Sequence, residues 1–211
     1  MKTLLYITIA IFFCTACNES QKKDNAKKTN QSLSDNKKKK VKIVIQPFID
    51  IPRENVEYVA YYLKKMYANV IINKPIEFPK NSLNQAKTRH RADSLIRFLS
   101  AKTKPGYLTI GLTKNDISTT KNNIQDWGIM GLGFCPGNSC IASSFKLKGK
   151  NKMEKLFKVA IHELGHTQGL KHCPVDDCLM RDANGKDHLD EEKEFCKKCK
   201  SVLINAGWTF N

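Results

Sequence analysis

Hydrophobic and polar positions change their spacing several times along this chain of 211 residues. Leu4 to Ala16 (LLYITIAIFFCTA) is almost wholly apolar, but it is too short for a membrane-spanning helix, which takes about 20 residues. Behind Met1-Lys2 it predicts the core of a secretory signal over residues 1–16. From Asn18 to Lys40 Leu33 is the one large apolar residue, so this stretch reads as a flexible, lysine-rich tether. Patterned chain starts at residue 41 and predicts one folded domain over 41–211.

Within that domain the spacing alternates between strand and helix. Val41-Lys42-Ile43-Val44-Ile45 has strand character and ends at Pro47. Asp50 and Pro52 then open a helix whose apolar positions are Val56, Val59, Ala60, Leu63 and Tyr67. Asn69 to Ile72 predicts a second strand. Ser82 is a candidate cap for a helix carrying Ala92, Leu95, Ile96 and Leu99, which stops before Pro105-Gly106. Tyr107 to Leu112 predicts a third strand, and residues 128–145 predict two short strands around a Gly/Pro/Asn turn. A last helix carries Met153, Leu156, Phe157, Ala160 and Leu164 along one stripe. The predicted class is α/β (α+β), with helices packed on one sheet.

Charge refines this picture. The formal net charge is +16, a value that raises nucleic acid or an anionic membrane as partners. Lys2 and the tether lysines, offset by Glu19, Asp24 and Asp35, carry part of it outside the folded domain. The lysine clusters lack the interleaved aromatics of a nucleic-acid surface, and export argues the same way, so no nucleic-acid partner is predicted. The tether lysines favour anionic head groups instead.

Eight cysteines call for an explanation, because a chain of this length can build its core without disulfides. Thr15-Ala16-Cys17 resembles a bacterial lipoprotein processing site, with Cys14 where such sites usually carry leucine. The resemblance implies a lipid on Cys17 and an envelope location. Ordinary signal cleavage, giving a soluble secreted protein, is the alternative. Cys14 leaves with the signal in either case. Cys135 and Cys140 flank the turn of the predicted strand pair and are either a disulfide or two half-buried thiols.

The chemistry is concentrated near the last helix. Residues 162–172 read HELGHTQGLKH. His162 and His166 are four apart and share one helix face, with Glu163 one step round. Two imidazoles on a zinc ion with a carboxylate as general base are the metalloprotease arrangement. Gly169 can end the helix and let His172 return as a third ligand, leaving one position open, as in catalytic zinc sites. His90 (in KTRHR) and His188 (in GKDHLDEE) read as solvated or non-ligand residues. Cys173, Cys178, Cys196 and Cys199 have the spacing of a four-thiolate structural zinc site, with two disulfides as the alternative. The segment between them, 181–195, is mostly polar and predicts little core of its own.

HELGHTQGLKHCPVDDCLM followed by FCKKC resembles the archaemetzincin signature, a branch of the metzincin clan of zinc metallopeptidases. The stretch from Met180 to Cys196 is slightly shorter than usual, and the export signal is an addition. The resemblance implies a metzincin-like fold with a mixed sheet and a small zinc-stabilised C-terminal subdomain. It implies His162, His166 and His172 on a catalytic zinc, Glu163 as general base, and the four cysteines on a structural zinc. It also places Met180 as the methionine beneath the active site. Two zinc ions per chain, a peptide or protein substrate laid along the edge strand of the 128–145 region, a membrane contact through the lipid and a monomeric state complete the expectation. An exported zinc-binding module with little turnover is the competing function.

Overall fold

A computed structural model describes residues 41–210. The signal segment, Cys17 and the tether lie outside the described residues. The element order is β1 (Lys42–Pro47), α1 (Arg53–Met66), β2 (Val70–Ile72), β3 (His90–Arg91), α2 (Ala92–Lys102), β4 (Tyr107–Thr113), β5 (Ile117–Lys121), β6 (Ile124–Ile129), β7 (Gly131–Gly133), β8 (Ser139–Ser143), α3 (Lys152–Thr167) and α4 (Lys197–Asn205).

Five strands form one sheet in the order β2-β1-β4-β8-β7. The first four are mutually parallel and β7 is antiparallel to β8. Strand alternation divides the core between the two faces. On β4 and β8, Leu108, Ile110, Leu112, Cys140 and Ala142 join the cluster that holds the apolar stripes of α1 and α3. Ile141 faces the other way, into a cluster with Phe48 and the α2 residues Ala92, Leu95, Ile96 and Leu99. Two helices thus cover one face and one covers the other, which explains why β4 is buried almost throughout. A second, three-stranded sheet has the order β3-β5-β6.

Several expectations are corrected. Ser82 caps no helix: α2 begins at Ala92 behind Arg91. The Ser82 side chain is fully buried and its Oγ lies 2.7 Å from His90 Nδ1. His90 is therefore no solvated residue. It belongs to β3, and its ring stacks on Phe78 at 4.0 Å, where burial lowers its pKa. Met153 opens the α3 stripe but is 39% exposed, because it lies in the first turn.

The C-terminal segment holds more apolar support than its composition suggests. Leu189, Phe195, Leu203 and Trp208 are all buried in the α1/α3 cluster. Trp208 packs edge-on against Tyr67 at 5.4 Å, and Thr209 N–H donates to the Met66 carbonyl at 2.9 Å. The tail is thereby tied to the end of α1.

Candidate metal centre and cleft

Helix α3 buries Leu156, Ala160 and Leu164 and turns His162 and His166 together to its opposite side. The helix ends at Thr167, and Gly169 takes a φ of +87° that permits the reversal. His172 then comes back to the first two histidines. One nitrogen from each of the three lies within 4.8 Å of the others. His162 Nδ1 is 2.7 Å from the Leu179 carbonyl and His166 Nδ1 is 2.7 Å from the Leu170 carbonyl. These bonds fix the tautomers and leave both Nε2 atoms for a shared ligand. His172 Nδ1 faces Asp182 Oδ2 at 3.2 Å. Burial, then the neighbouring imidazole, pushes His162 down to about 3, and burial lowers His166 as well. Neutral imidazoles held apart from other partners are the donor form a divalent metal requires.

Glu163 is 7% exposed, and burial pushes its carboxyl up to about 8. It lies against β7, and two glycines there make the contact possible. A Cβ on Gly131 would sit 2.5 Å from Glu163 Oε1, and one on Gly133 would sit 2.7 Å from the Glu163 carbonyl oxygen. Met180, fully buried, packs its sulfur where Gly165 has no side chain, beneath the histidine helix.

The four cysteines come from the loop after α3 and the start of α4. Cys173 Sγ is 3.7 Å from Cys196 Sγ, and Cys178 Sγ is 3.9 Å from Cys199 Sγ. A disulfide needs about 2.05 Å, whereas thiolates at about 2.3 Å on a tetrahedral zinc stand about 3.8 Å apart. The spacing therefore fits a metal. Backbone N–H groups of Met180 and Cys196 donate to Cys178 Sγ at 3.5 and 3.3 Å. Burial opposes ionisation of Cys196, but hydrogen bonds from the Cys199 backbone and the neighbouring thiols outweigh it and bring the group down to about 7.

Cys135 and Cys140 are both free, so the disulfide considered for their turn is not formed. Cys140 sits inside β8 opposite Gly133 and points into the core. Cys135 is exposed and its thiol donates to the Leu170 carbonyl at 3.3 Å.

The histidines open on a cleft of about 850 Å³ lined by β7, by Trp127 of β6 and by the loop 181–189. The model of peptidase family M54 matches residues 9–205 of the chain. The chain belongs to peptidase family M54. The archaemetzincin of Nanoarchaeum equitans is 29% identical over 155 residues, spanning 73% of this chain and 85% of that protein. The archaemetzincin of Archaeoglobus fulgidus is 29% identical over 168 residues, spanning 77% and 99%. The crystal structure of the A. fulgidus archaemetzincin, complexed with malonate, is 28% identical and has a TM-score of 0.66 over 77% of this chain and 99% of that one. The Methanopyrus kandleri archaemetzincin structure, at 23% identity and a TM-score of 0.68, covers 81% and 97% and supports the fold alone.

This M54 chain is a zinc metallopeptidase, and its substrates are peptides or proteins. All seven residues expected as zinc ligands fall into two clusters, His162/His166/His172 and Cys173/Cys178/Cys196/Cys199. His188 lines the cleft and stands outside the histidine cluster. Asp182, Gly131, Gly133 and Glu192 also belong to the site, and sequence reasoning missed them. Their partners lie on other elements, so no local spacing marks them.

Proposed function

We propose that the M54 peptidase is an exported, lipid-anchored monomer in which His162, His166 and His172 hold a catalytic zinc and Glu163 is the general base. The observation that carries this reading is the convergence of three imidazoles beside a buried carboxyl group in an open cleft. Cys173, Cys178, Cys196 and Cys199 hold a second, structural zinc, giving two ions per chain. A zinc ion in the histidine site supplies Lewis acidity for the scissile carbonyl and lowers the pKa of water.

The chain's own groups do the rest. Glu163 accepts the proton of the attacking water and delivers it to the leaving amine. Its packing against β7 suits this shuttle by holding the carboxyl in one place beside the histidines. β7 is the terminal strand of the sheet and lines the cleft, so an extended substrate adds along it. Hydrogen bonds from His162 and His166 to backbone carbonyls keep the imidazoles oriented through the cycle.

Glu163→Ala is expected to reduce peptide hydrolysis by about 10²- to 10⁴-fold while the zinc content stays unchanged. Loss of zinc together with activity would give Glu163 a ligand or folding role and overturn the assignment. The anchor rests on the Thr15-Ala16-Cys17 sequence. Mature protein should fractionate with membranes and Cys17→Ser should abolish that; a soluble wild type would favour secretion without a lipid.

A further inference from the structure

The lining of the cleft includes a carboxyl group that no donor among the described residues serves. Glu192 is 4% exposed, lines the cleft, and its Oε2 has no hydrogen-bond partner among the described residues. The two cations whose charge reaches it, Lys158 and Arg181, are committed elsewhere. Lys158 Nζ binds the Leu189 carbonyl at 2.8 Å and Glu154 at 3.0 Å. Arg181 reaches Glu191 at 2.5 Å and Asp176 at 3.3 Å. Lys155, also on α3, is taken by Asp190 at 2.7 Å and Asp187 at 3.2 Å. A buried acceptor left without a donor is costly, and natural structures leave few of them.

The surroundings of Glu192 narrow what would complete it. Val159 and Leu189 line the same cleft and supply apolar walls. Val159 precedes His162 by three positions on α3, so it lies one turn away on the same face. A group entering the cleft thus finds apolar walls and a carboxyl in the same lining as the histidine centre. Lysine and arginine match both, with an aliphatic stem and a charged, multiply donating tip. An acidic side chain would meet Glu192 head-on, and a purely apolar one would leave the carboxyl unsatisfied.

We propose that Glu192 is the floor of a specificity subsite that selects peptides with lysine or arginine next to the scissile bond. The inference rests on the peptidase reading of the histidine centre. Burial, opposed by Lys158 and Arg181, holds Glu192 up at about 7 in the free protein. A cation arriving from the substrate would draw it back to the ionised form.

The test is a quenched-fluorescence peptide library, varied at both positions flanking the cleaved bond, on full-length zinc-loaded protein. Lysine and arginine should be enriched at one of those positions. In a defined pair, kcat/KM for the lysine peptide should exceed that for its norleucine counterpart about tenfold or more. Glu192→Gln should bring this ratio close to one. A wild-type profile without basic preference overturns the proposal and depends on no variant. So does a preference that survives in Glu192→Gln. If that variant does not melt cooperatively, Glu192→Asp replaces it: the retracted carboxylate should shift preference from lysine toward the longer arginine, and an unshifted ratio overturns the proposal. Anisotropy binding of the same two peptides to Glu163→Ala separates the two readings. Lysine-selective binding with no wild-type turnover of any peptide would remove the peptidase reading and leave the subsite standing.

Discussion

Replacing Gly133 by alanine tests how tightly β7 is set against the active-site helix. The added Cβ would meet the Glu163 carbonyl oxygen at 2.7 Å and His166 Cβ at 3.2 Å. Neither contact involves the far end of a flexible side chain, so relief requires strand and helix to separate by several tenths of an ångström. Such overpacking costs about 1–3 kcal/mol. Taking 2 kcal/mol, the melting temperature should fall by about 4–8 °C for a chain of this size. The same displacement moves Glu163 and His166 together, and misplacements on this scale cost about 10- to 100-fold in turnover. Gly131→Ala is the internal control. Its Cβ would lie 2.5 Å from Glu163 Oε1, 2.7 Å from Cγ and 2.9 Å from Cδ, all side-chain atoms, so relief comes from a change of the Glu163 rotamer rather than of the backbone. That variant should keep most of its stability while losing hydrolysis, because the carboxylate is displaced. Scanning calorimetry with a peptide-cleavage assay on all three proteins reads both effects. A Gly133→Ala protein melting within about 1 °C of wild type and cleaving at its rate would refute the tight contact. A larger loss of stability in Gly131→Ala than in Gly133→Ala would refute the distinction between backbone and side-chain contacts.

Two further outcomes follow from the same geometry. Changing Cys196 and Cys199 together to serine should remove one zinc per chain and leave the segment from 173 onward open to limited proteolysis, although the buried Leu189, Phe195 and Trp208 keep it from unfolding outright; metal analysis and protease mapping check this, and an unchanged metal content contradicts it. Glu192→Gln should change the pH dependence of stability: burial raises the folded pKa from 4.5 to about 7, so the carboxyl is harmless below the unfolded value, grows destabilising as pH rises between the two, and is fully costly above the folded one. The variant should therefore gain on wild type by up to about 3 kcal/mol between pH 4 and pH 8 in urea unfolding, and parallel curves would contradict the shift.

The legible parts of this protein are those whose partners lie close in sequence. HELGHTQGLKH encodes its own geometry: the four-residue spacing sets two imidazoles on one face, and Gly169 supplies the φ of +87° that returns the third. Strands β1 and β4 are legible because burial on both faces makes them largely apolar, and β8 because a Gly/Pro/Asn turn precedes it. The β5–β6 hairpin escaped notice, since ISTTK and IQDWGI carry polar residues wherever the small sheet is exposed. Ser82 misled for a related reason. Its cap-like position at the head of an apolar pattern was local, whereas its partner His90 comes from a strand that the pattern did not predict. Asp182, Glu192 and the glycines of β7 depend entirely on contacts between distant segments.

The two clusters of metal-type ligands are joined by one short length of chain, and this gives the C-terminal segment its place in the chemistry. His172 and Cys173 are adjacent, so one belongs to each cluster. Between Cys178 and Met180 lies Leu179, whose carbonyl receives His162 Nδ1 at 2.7 Å. Met180 N–H in turn donates to Cys178 Sγ at 3.5 Å, and Cys173 N–H donates to the Met180 carbonyl at 2.7 Å. Directly after Cys178, this loop thus orients a histidine through Leu179 and fills the hollow at Gly165 with Met180. Burial of Leu179 and Met180 holds part of this arrangement, against a backbone entropy that opposes it at about 1–2 kcal/mol per residue. Cross-linking by a metal removes much of that freedom at a few points. A metal held by the four cysteines would thus steady, through Leu179 and Met180, the backbone on which the His162 imidazole and helix α3 rest.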